Sequence, residues 1–302
     1  MSVAVTGGTG FVGQAVLDEA ARRGVSVRAL TRRDQPLREG VTWIRGDLAD
    51  ADALVRLARG STAVLHIAGV VNAPDRVGFH TGNVEGTQAI VQAAREAGVS
   101  RFVHVSSLAA REPGLSEYGH SKRLAEEVVQ VSGLDWTIVR PPAIYGPRDT
   151  EMLDLYRAAR WRVVPMPPPG RASMLHSEDL ARLLLDLVRA GDLAAERIFE
   201  PDDGRAGGWS HRELARAIGH AVGRTVWSPN MPASWLMAAA RIDRRLRGED
   251  AKLTPDRAGY MCHPDWVSDP DRRVPGDVWQ PAIGTPAGLA ATVAWYREKG
   301  WL

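Results

Sequence analysis

The segment Thr6-Gly7-Gly8-Thr9-Gly10-Phe11-Val12-Gly13 constrains this chain more than any other. It follows a short β-branched run, Val3–Thr6, and opens a helical pattern from about Gly10 to Arg23. Glycines there let the backbone turn sharply and come close to a pyrophosphate. The helix start then presents free N–H groups and a partial positive charge to that anion. A tight strand–helix turn without a ligand would use the same residues. Placed at the first crossing of a β–α–β unit, the pattern points to a dinucleotide held by Gly7, Thr9, Gly10, Phe11, Val12 and Gly13.

The alternation continues downstream. Val25–Leu30, Val41–Arg45, Val64–Ala68, Phe102–Ser106 and Thr137–Arg140 read as strands. Asp50–Arg59, Asn83–Ala97 and Tyr118–Ser132 read as helices between them. Strands alternating with helices of this length predict an α/β fold, a doubly wound parallel Rossmann sheet. Beyond residue 150 the character changes. Proline and glycine cluster at Pro165–Gly170 and Pro201–Gly208, and Asp179–Arg189 and His211–Val222 are amphipathic helices. Eight of the ten tryptophans lie in this half, which suggests broad apolar walls. The expected division is a Rossmann domain over 1–150 and a smaller substrate domain over 151–302.

Composition closes off other classes. At 302 residues, 44% hydrophobic and 25% charged, the chain is not disordered, collagen-like or a coiled coil. One cysteine, Cys262, excludes a disulfide framework and a thiolate zinc cluster, and fits a reducing, cytoplasmic setting. No His/Asp/Glu group has metal-ligand spacing, so no metal is expected. His104 precedes two serines on a buried strand and reads as a packed core residue. No apolar run reaches the ~20 residues that span a bilayer. Residues 1–13 read as strand and turn rather than a signal peptide. A net charge of +2 argues against a nucleic-acid partner.

Two further places carry chemistry. An NAD site usually has an acid at the end of the second strand. Here the text is Leu30-Thr31-Arg32-Arg33. A guanidinium binds a 2′-phosphate where an acid would repel it, so Arg32 favours NADP(H) over NAD(H). A solvated charge pair is the alternative. Tyr118 and Lys122 lie four apart at a helix start and share one face. The cation stabilises a phenolate, bringing a phenol toward working pH, and can also reach a ribose hydroxyl. The chain has only two other lysines, Lys252 and Lys299. Ser106 and Ser107 end the fifth strand, where such sheets bind ligands. Ser107 is favoured to hydrogen-bond a substrate oxygen, with Ser106 in support, although serines there also cap helices.

Together these pieces resemble an extended (atypical) short-chain dehydrogenase/reductase. The resemblance rests on Thr6–Gly13, Gly46-Asp47-Leu48, His66-Ile67-Ala68-Gly69, Asn83-Val84-Glu85-Gly86-Thr87, Ser106-Ser107, Tyr118 with Lys122, Arg140 to Pro147 and His176 to Ala181. They run in family order over about the first 180 residues. The resemblance implies that Asp47 and Leu48 hold the adenine and that Ala68 and Gly69 flank the ribose and phosphates. It implies that the backbone near Pro141 and Ile144 touches the nicotinamide. Tyr118 would transfer the proton, with Lys122 and Ser107 beside it, and residues 176–200 would return to the first domain. A homodimer paired through helices fits the same family.

Departures narrow the family. After Ser107 comes Leu108-Ala109-Ala110-Arg111, not the Tyr-Gly of sugar-nucleotide members. The Asp-Glu pair of 4,6-dehydratases is also missing. The short gap from Ser107 to Tyr118 resembles the branch of complex I-associated reductase-like subunits and related bacterial reductases. The tail, from Leu253 to Trp266 and at Trp295-Tyr296-Arg297, is similar to reductases of hydrophobic ketones, including steroid-dehydrogenase-like members and bacterial 3-oxosphinganine reductases. Met231–Met237 then Arg241, Arg244, Arg245 and Arg247 reads as a packed helix with a solvated end, or as one touching an anionic membrane or a lipid-like chain. The resulting expectation is an NADP(H)-dependent reductase of a ketone on a hydrophobic small molecule, in the cytoplasm or peripheral to a membrane. The alternatives are a sugar-nucleotide epimerase or decarboxylase with tightly bound NAD, and a non-catalytic nucleotide-binding assembly subunit.

Overall fold

The computed structural model describes residues 1–248 and 251–302. In chain order the elements are β1 (Ser2–Thr6), α1 (Phe11–Arg22), β2 (Ser26–Thr31), β3 (Val41–Arg45), α2 (Ala51–Ala58), β4 (Ala63–His66) and α3 (Arg76–Phe79). They continue with α4 (Gly86–Glu96), β5 (Arg101–Val105), α5 (Glu117–Gln130), β6 (Asp135–Val139), β7 (Ala143–Tyr145), α6 (Leu153–Arg160), β8 (Arg171–Ala172) and β9 (Met174–His176). The last are α7 (Ser177–Arg189), β10 (Arg197–Phe199), β11 (Trp209–Ser210), α8 (His211–Val222), α9 (Ala233–Arg247), α10 (Pro255–Met261), β12 (Asp265–Trp266) and α11 (Thr285–Glu298).

The chain forms two compact units. The first comprises Met1–Pro141, Leu180–Glu200 and Val274–Gln280; the second comprises Pro142–Asp179, Pro201–Arg273 and Pro281–Leu302. In the first, seven strands lie in the order β10-β6-β5-β4-β1-β2-β3. Every pairing is parallel, with Val3 opposite both Val27 and Ala63, His66 opposite His104, and Ile138 opposite Ile198. The winding reverses between β1 and β4, and such a switch opens a crevice at the carboxyl ends of the strands. β4 and β5 are buried along their whole length, which is why they read as continuous rather than alternating apolar runs. Leu54, Leu57, Ile90 and Ala94 of α2 and α4 bury against Val64 and Phe102. Asp50 starts α2 by accepting the Ala53 N–H at 2.9 Å.

The helix expected over Asn83–Ala97 is longer and less regular. It begins as α3 at Arg76, passes through a π-helical turn at His80–Glu85, and continues as α4. Asp75 caps its start, accepting from Gly78 N at 2.9 Å. Asn83 lies within this π turn and is buried.

In the second unit β7 pairs parallel with β9, and β8 lies between β11 and β12. Tyr145, Tyr156, Met174, Ile218, Leu289 and Tyr296 fill its core. α8 starts with a capping box between Ser210 and Glu213 and ends at Gly223, whose φ of 82° is left-handed. Asp179 accepts the N–H groups of Ala282 and Ile283 at 3.0 and 2.9 Å. No helix among the described residues is long and apolar enough to cross a membrane.

Candidate functional site

The glycine turn follows β1 directly. Gly7 has φ +75°, and a Cβ there would lie 2.7 Å from the Ala68 nitrogen. A Cβ on Gly13 would lie 2.0 Å from the Gly7 oxygen, so α1 passes hard against the turn. Gly7 O accepts from Gly10 N at 3.0 Å, and Gln14 Nε2 braces Gly8 O at 3.0 Å. Thr9 and Gly10 are exposed, and Phe11 and Val12 half-buried. Gly10 is the N-cap and has no side chain to satisfy the helix start; the first turn carries no acid. An uncapped, acid-free helix start behind a tight glycine turn fits a pyrophosphate.

Arg32 follows the last residue of β2. It is exposed, and among the described residues its guanidinium has no hydrogen-bond or ion-pair partner. The next acid, Asp34, is paired with Arg45. Asp47 is exposed and accepts from Ala49 N at 2.9 Å. Leu48 packs on Gly86, where a Cβ would lie 2.7 Å from Leu48 Cδ1. Ala68 N donates to Thr6 Oγ1 at 3.3 Å. Pro141 closes the first stretch of the first unit, whereas Ile144 lies on β7 of the second.

Tyr118, Lys122 and Ser107 all belong to the first unit. Ser116 caps α5, accepting from Gly119 N at 3.0 Å, which puts Tyr118 in the first turn and Lys122 one turn further on. Ser107 caps the 3₁₀ turn Leu108–Arg111, accepting from Ala109 N at 3.2 Å. That bond uses the oxygen as acceptor and leaves the hydroxyl proton available. A Cβ on Gly119 would lie 2.6 Å from Ala109 O, so the glycine lets the start of α5 close onto the turn that Ser107 caps. Ser106, by contrast, is buried and donates to Glu126 Oε1 at 2.5 Å.

Lys122 is buried, and its Nζ donates to Val105 O at 2.8 Å. Burial pushes its pKa down to about 8, against the opposing charge of Glu126. Gly69 lies close by: a Cβ there would be 3.6 Å from Lys122 Nζ, an ordinary contact, and a tighter 3.1 Å from Asn83 Oδ1. Tyr118 is half-buried, with its ring 6.2 Å from that of Phe79.

Three supports had no assigned role in the sequence. Asn83 accepts from Val70 N at 2.7 Å and donates to Ser121 Oγ at 2.9 Å. Ser121 in turn donates to Tyr118 O at 2.8 Å, so one amide ties the loop after β4 to the first turn of α5. His66 lies between Thr6 Oγ1 at 2.6 Å and Thr87 Oγ1 at 3.0 Å. Thr87 spends its proton on Asn83 O at 2.6 Å, so His66 Nε2 must donate and Nδ1 accept. Burial first, and the Lys122 charge second, push its pKa down to about 3, which keeps that tautomer neutral. His104 is fully buried and stacks on His66 at 5.2 Å. The third support is ionic. Arg140 clasps Glu126 at 2.8 and 2.6 Å and meets Glu200 at 3.3 Å, which also pairs with Arg111 at 3.2 Å. The Arg140 motif and Asn83 carried a family signal, but neither showed which groups they would hold.

The first unit thus holds, on one parallel Rossmann sheet, a tight glycine turn before an uncapped helix, a buried Lys122 one turn beyond Tyr118, and Ser107 with its hydroxyl proton unused, a set that suits a nicotinamide-dependent oxidoreductase. The comparisons agree. Residues 7–190 match the family described as NAD(P)H-binding. The chain is 38% identical over 309 residues to the ceramide reductase of Caulobacter vibrioides, across 99% of this chain and 96% of that protein. It is 31% identical to the 2-alkyl-3-oxoalkanoate reductase of Stenotrophomonas maltophilia, across 94% and 96%. The UDP-N-acetylglucosamine 4-epimerase from Bacillus cereus shares the fold, with a TM-score of 0.71 at 18% identity over 98% of this chain and 96% of that one. The chain therefore belongs to the NAD(P)H-binding family, and its full-length relatives are named reductases.

Proposed function

We propose that the protein reduces a ketone to a secondary alcohol on a long-chain, lipid-like substrate, with NADPH as the reductant. The observation that carries this reading is the buried Lys122 ammonium one helical turn beyond Tyr118. When bound, the dinucleotide supplies a hydride to the carbonyl carbon. Tyr118 delivers the proton to the carbonyl oxygen from its phenol. Lys122 holds positive charge near the phenolate left behind and so lowers the cost of that transfer. Ser107 keeps its own proton and donates a hydrogen bond to the same oxygen as charge develops. Gly7, Thr9, Gly10, Phe11, Val12 and Gly13 cradle the pyrophosphate, with Asp47, Leu48, Ala68, Gly69 and Pro141 along the rest of the cofactor. Arg32, unpaired at the end of β2, takes the 2′-phosphate. The names of the Caulobacter and Stenotrophomonas relatives support a ketone in an alkyl-chain setting, of the 3-oxosphinganine type rather than a sugar nucleotide.

The test is NADPH oxidation against long-chain 3-oxo amides, 3-oxo sphingoid bases, 3-oxosteroids and UDP-hexoses. Turnover is expected with the long-chain ketones, and Tyr118→Phe should lower it about 10²- to 10⁴-fold while NADPH affinity holds. Arg32→Asp should shift the NADPH-to-NADH ratio of kcat/KM toward NADH by roughly 10- to 100-fold. Turnover confined to UDP-hexoses, or a fully active Tyr118→Phe, would reject the reading. An unchanged cofactor ratio would reject the role of Arg32.

A further inference from the structure

The helix α9 keeps only a narrow strip inward. Leu236 and Ala240 are buried with Ala258 of α10, and Met231, Met237 and Met261 pack around them. Its outer side carries large apolar residues. Trp235 is 69% exposed, Ile242 56% and Leu246 80%. Steps of seven and four residues put these three side chains on one helical stripe. Single exposed apolar residues are ordinary, but a stripe of large ones along a helix marks a surface that something covers. Trp227 is also 69% exposed, on the segment that leads into this helix.

Along the second half of α9 the charge is mainly positive. Arg241, Arg244, Arg245 and Arg247 lie along the second half of α9, whose one acid is Asp243. Asp243 is taken up by Arg247 at 3.2 Å and by the Leu253 N–H at 3.0 Å. Arg241 and Arg245 are exposed and have no acidic partner among the described residues. Guanidinium groups bind phosphates in a bidentate way, and tryptophan prefers the boundary between hydrocarbon and water. A second copy docked through this same face would offer the arginines no free acid, because the one acid of α9, Asp243, is already taken up. An anionic phospholipid surface satisfies both halves of the helix, the stripe in the acyl boundary and the arginines among headgroup phosphates.

We infer that α9 is a membrane-docking helix that lays Trp235, Ile242 and Leu246 into an anionic phospholipid surface. The proposal goes beyond the reductase reading and does not rest on it. The experiment is co-sedimentation of the full chain with phosphatidylcholine vesicles containing about one-third phosphatidylglycerol, and with phosphatidylcholine alone. The wild type should pellet with the anionic vesicles and be released by salt. Arg241→Ser with Arg245→Ser should weaken partitioning about 25-fold, at ~5-fold per arginine. Trp235→Ser with Leu246→Ser should abolish it, with thermal melting unchanged in both variants. Wild type left in the supernatant, or equal binding by the arginine variant, overturns the proposal. So does a dimer, seen by ultracentrifugation, that Leu246→Ser dissociates. No ketone enters the measurement, so its failure leaves the reductase reading intact.

Discussion

Lys122 is the buried cation on which the proposed proton transfer depends. Its pKa is brought down to about 8 by burial, with Glu126 opposing, so the charged fraction in the free protein falls as pH rises through that value. If the ammonium supports proton transfer by Tyr118, kcat/KM for ketone reduction should decline above pH about 8. Stability should move the other way. The unfolded lysine keeps its proton up to about 10.5, so between about 8 and 10.5 the unfolded chain binds more protons and the folded state gains as pH rises. A rate profile flat from pH about 7 to about 9 would count against the assignment. Tyr118 and Lys122 were legible in the sequence because helix geometry alone joins residues four apart. The neutral His66 was not, because Thr6 and Thr87 lie 60 and 21 positions away. Arg140 was visible as part of a motif, but its partner Glu200 is 60 positions off.

At the scale of elements, the strand–turn–helix of β1 and α1 separates two duties that one glycine motif carries. Gly13→Ala would place a methyl 2.0 Å from the Gly7 carbonyl, inside any contact distance, so the turn and helix cannot both keep their places. Gly10→Ala meets only the Gly7 oxygen, at 3.3 Å, and needs a small shift. The expected outcome is a large loss of stability for Gly13→Ala, about 3 kcal/mol or more, and a near-normal melt for Gly10→Ala. Gly10→Ala should instead weaken NADPH binding, because its methyl stands on the open face of the helix start. Thermal melting and a cofactor titration decide it, and equal melting of the two variants would show that the close approach does not matter. The glycine pattern was readable because the chemistry demands it at fixed spacing. The course of the third helix was not. Its π turn at His80–Glu85 leaves no mark in apolar periodicity, and the start at Arg76 is set by the Asp75 cap, a side-chain bond that hydropathy does not register.

Across the molecule, the first unit is completed by residues far along the chain. The leucine pattern of α7 was visible as an amphipathic helix, but periodicity does not say which unit a helix joins. β10 adds to the edge of β6, with Arg197, Ile198 and Phe199 opposite Thr137, Ile138 and Val139. Leu180, Leu183, Leu184 and Leu187 are fully buried, and Leu187 O accepts from Arg101 at 2.6 Å. Glu200 then meets Arg140 and Arg111. A chain cut after residue 150 would lose all of this. Burial of four leucines alone is worth about 6–12 kcal/mol, of the same order as the ~5–15 kcal/mol that holds a whole domain. The cut would also leave the β6 edge open to pairing between chains. Residues 1–150 expressed alone should therefore aggregate or show no cooperative melt by circular dichroism, although they hold the glycine turn, Ser107, Tyr118 and Lys122. A sharp thermal transition together with NADPH binding by that fragment would show that the returning segment is dispensable to the first unit.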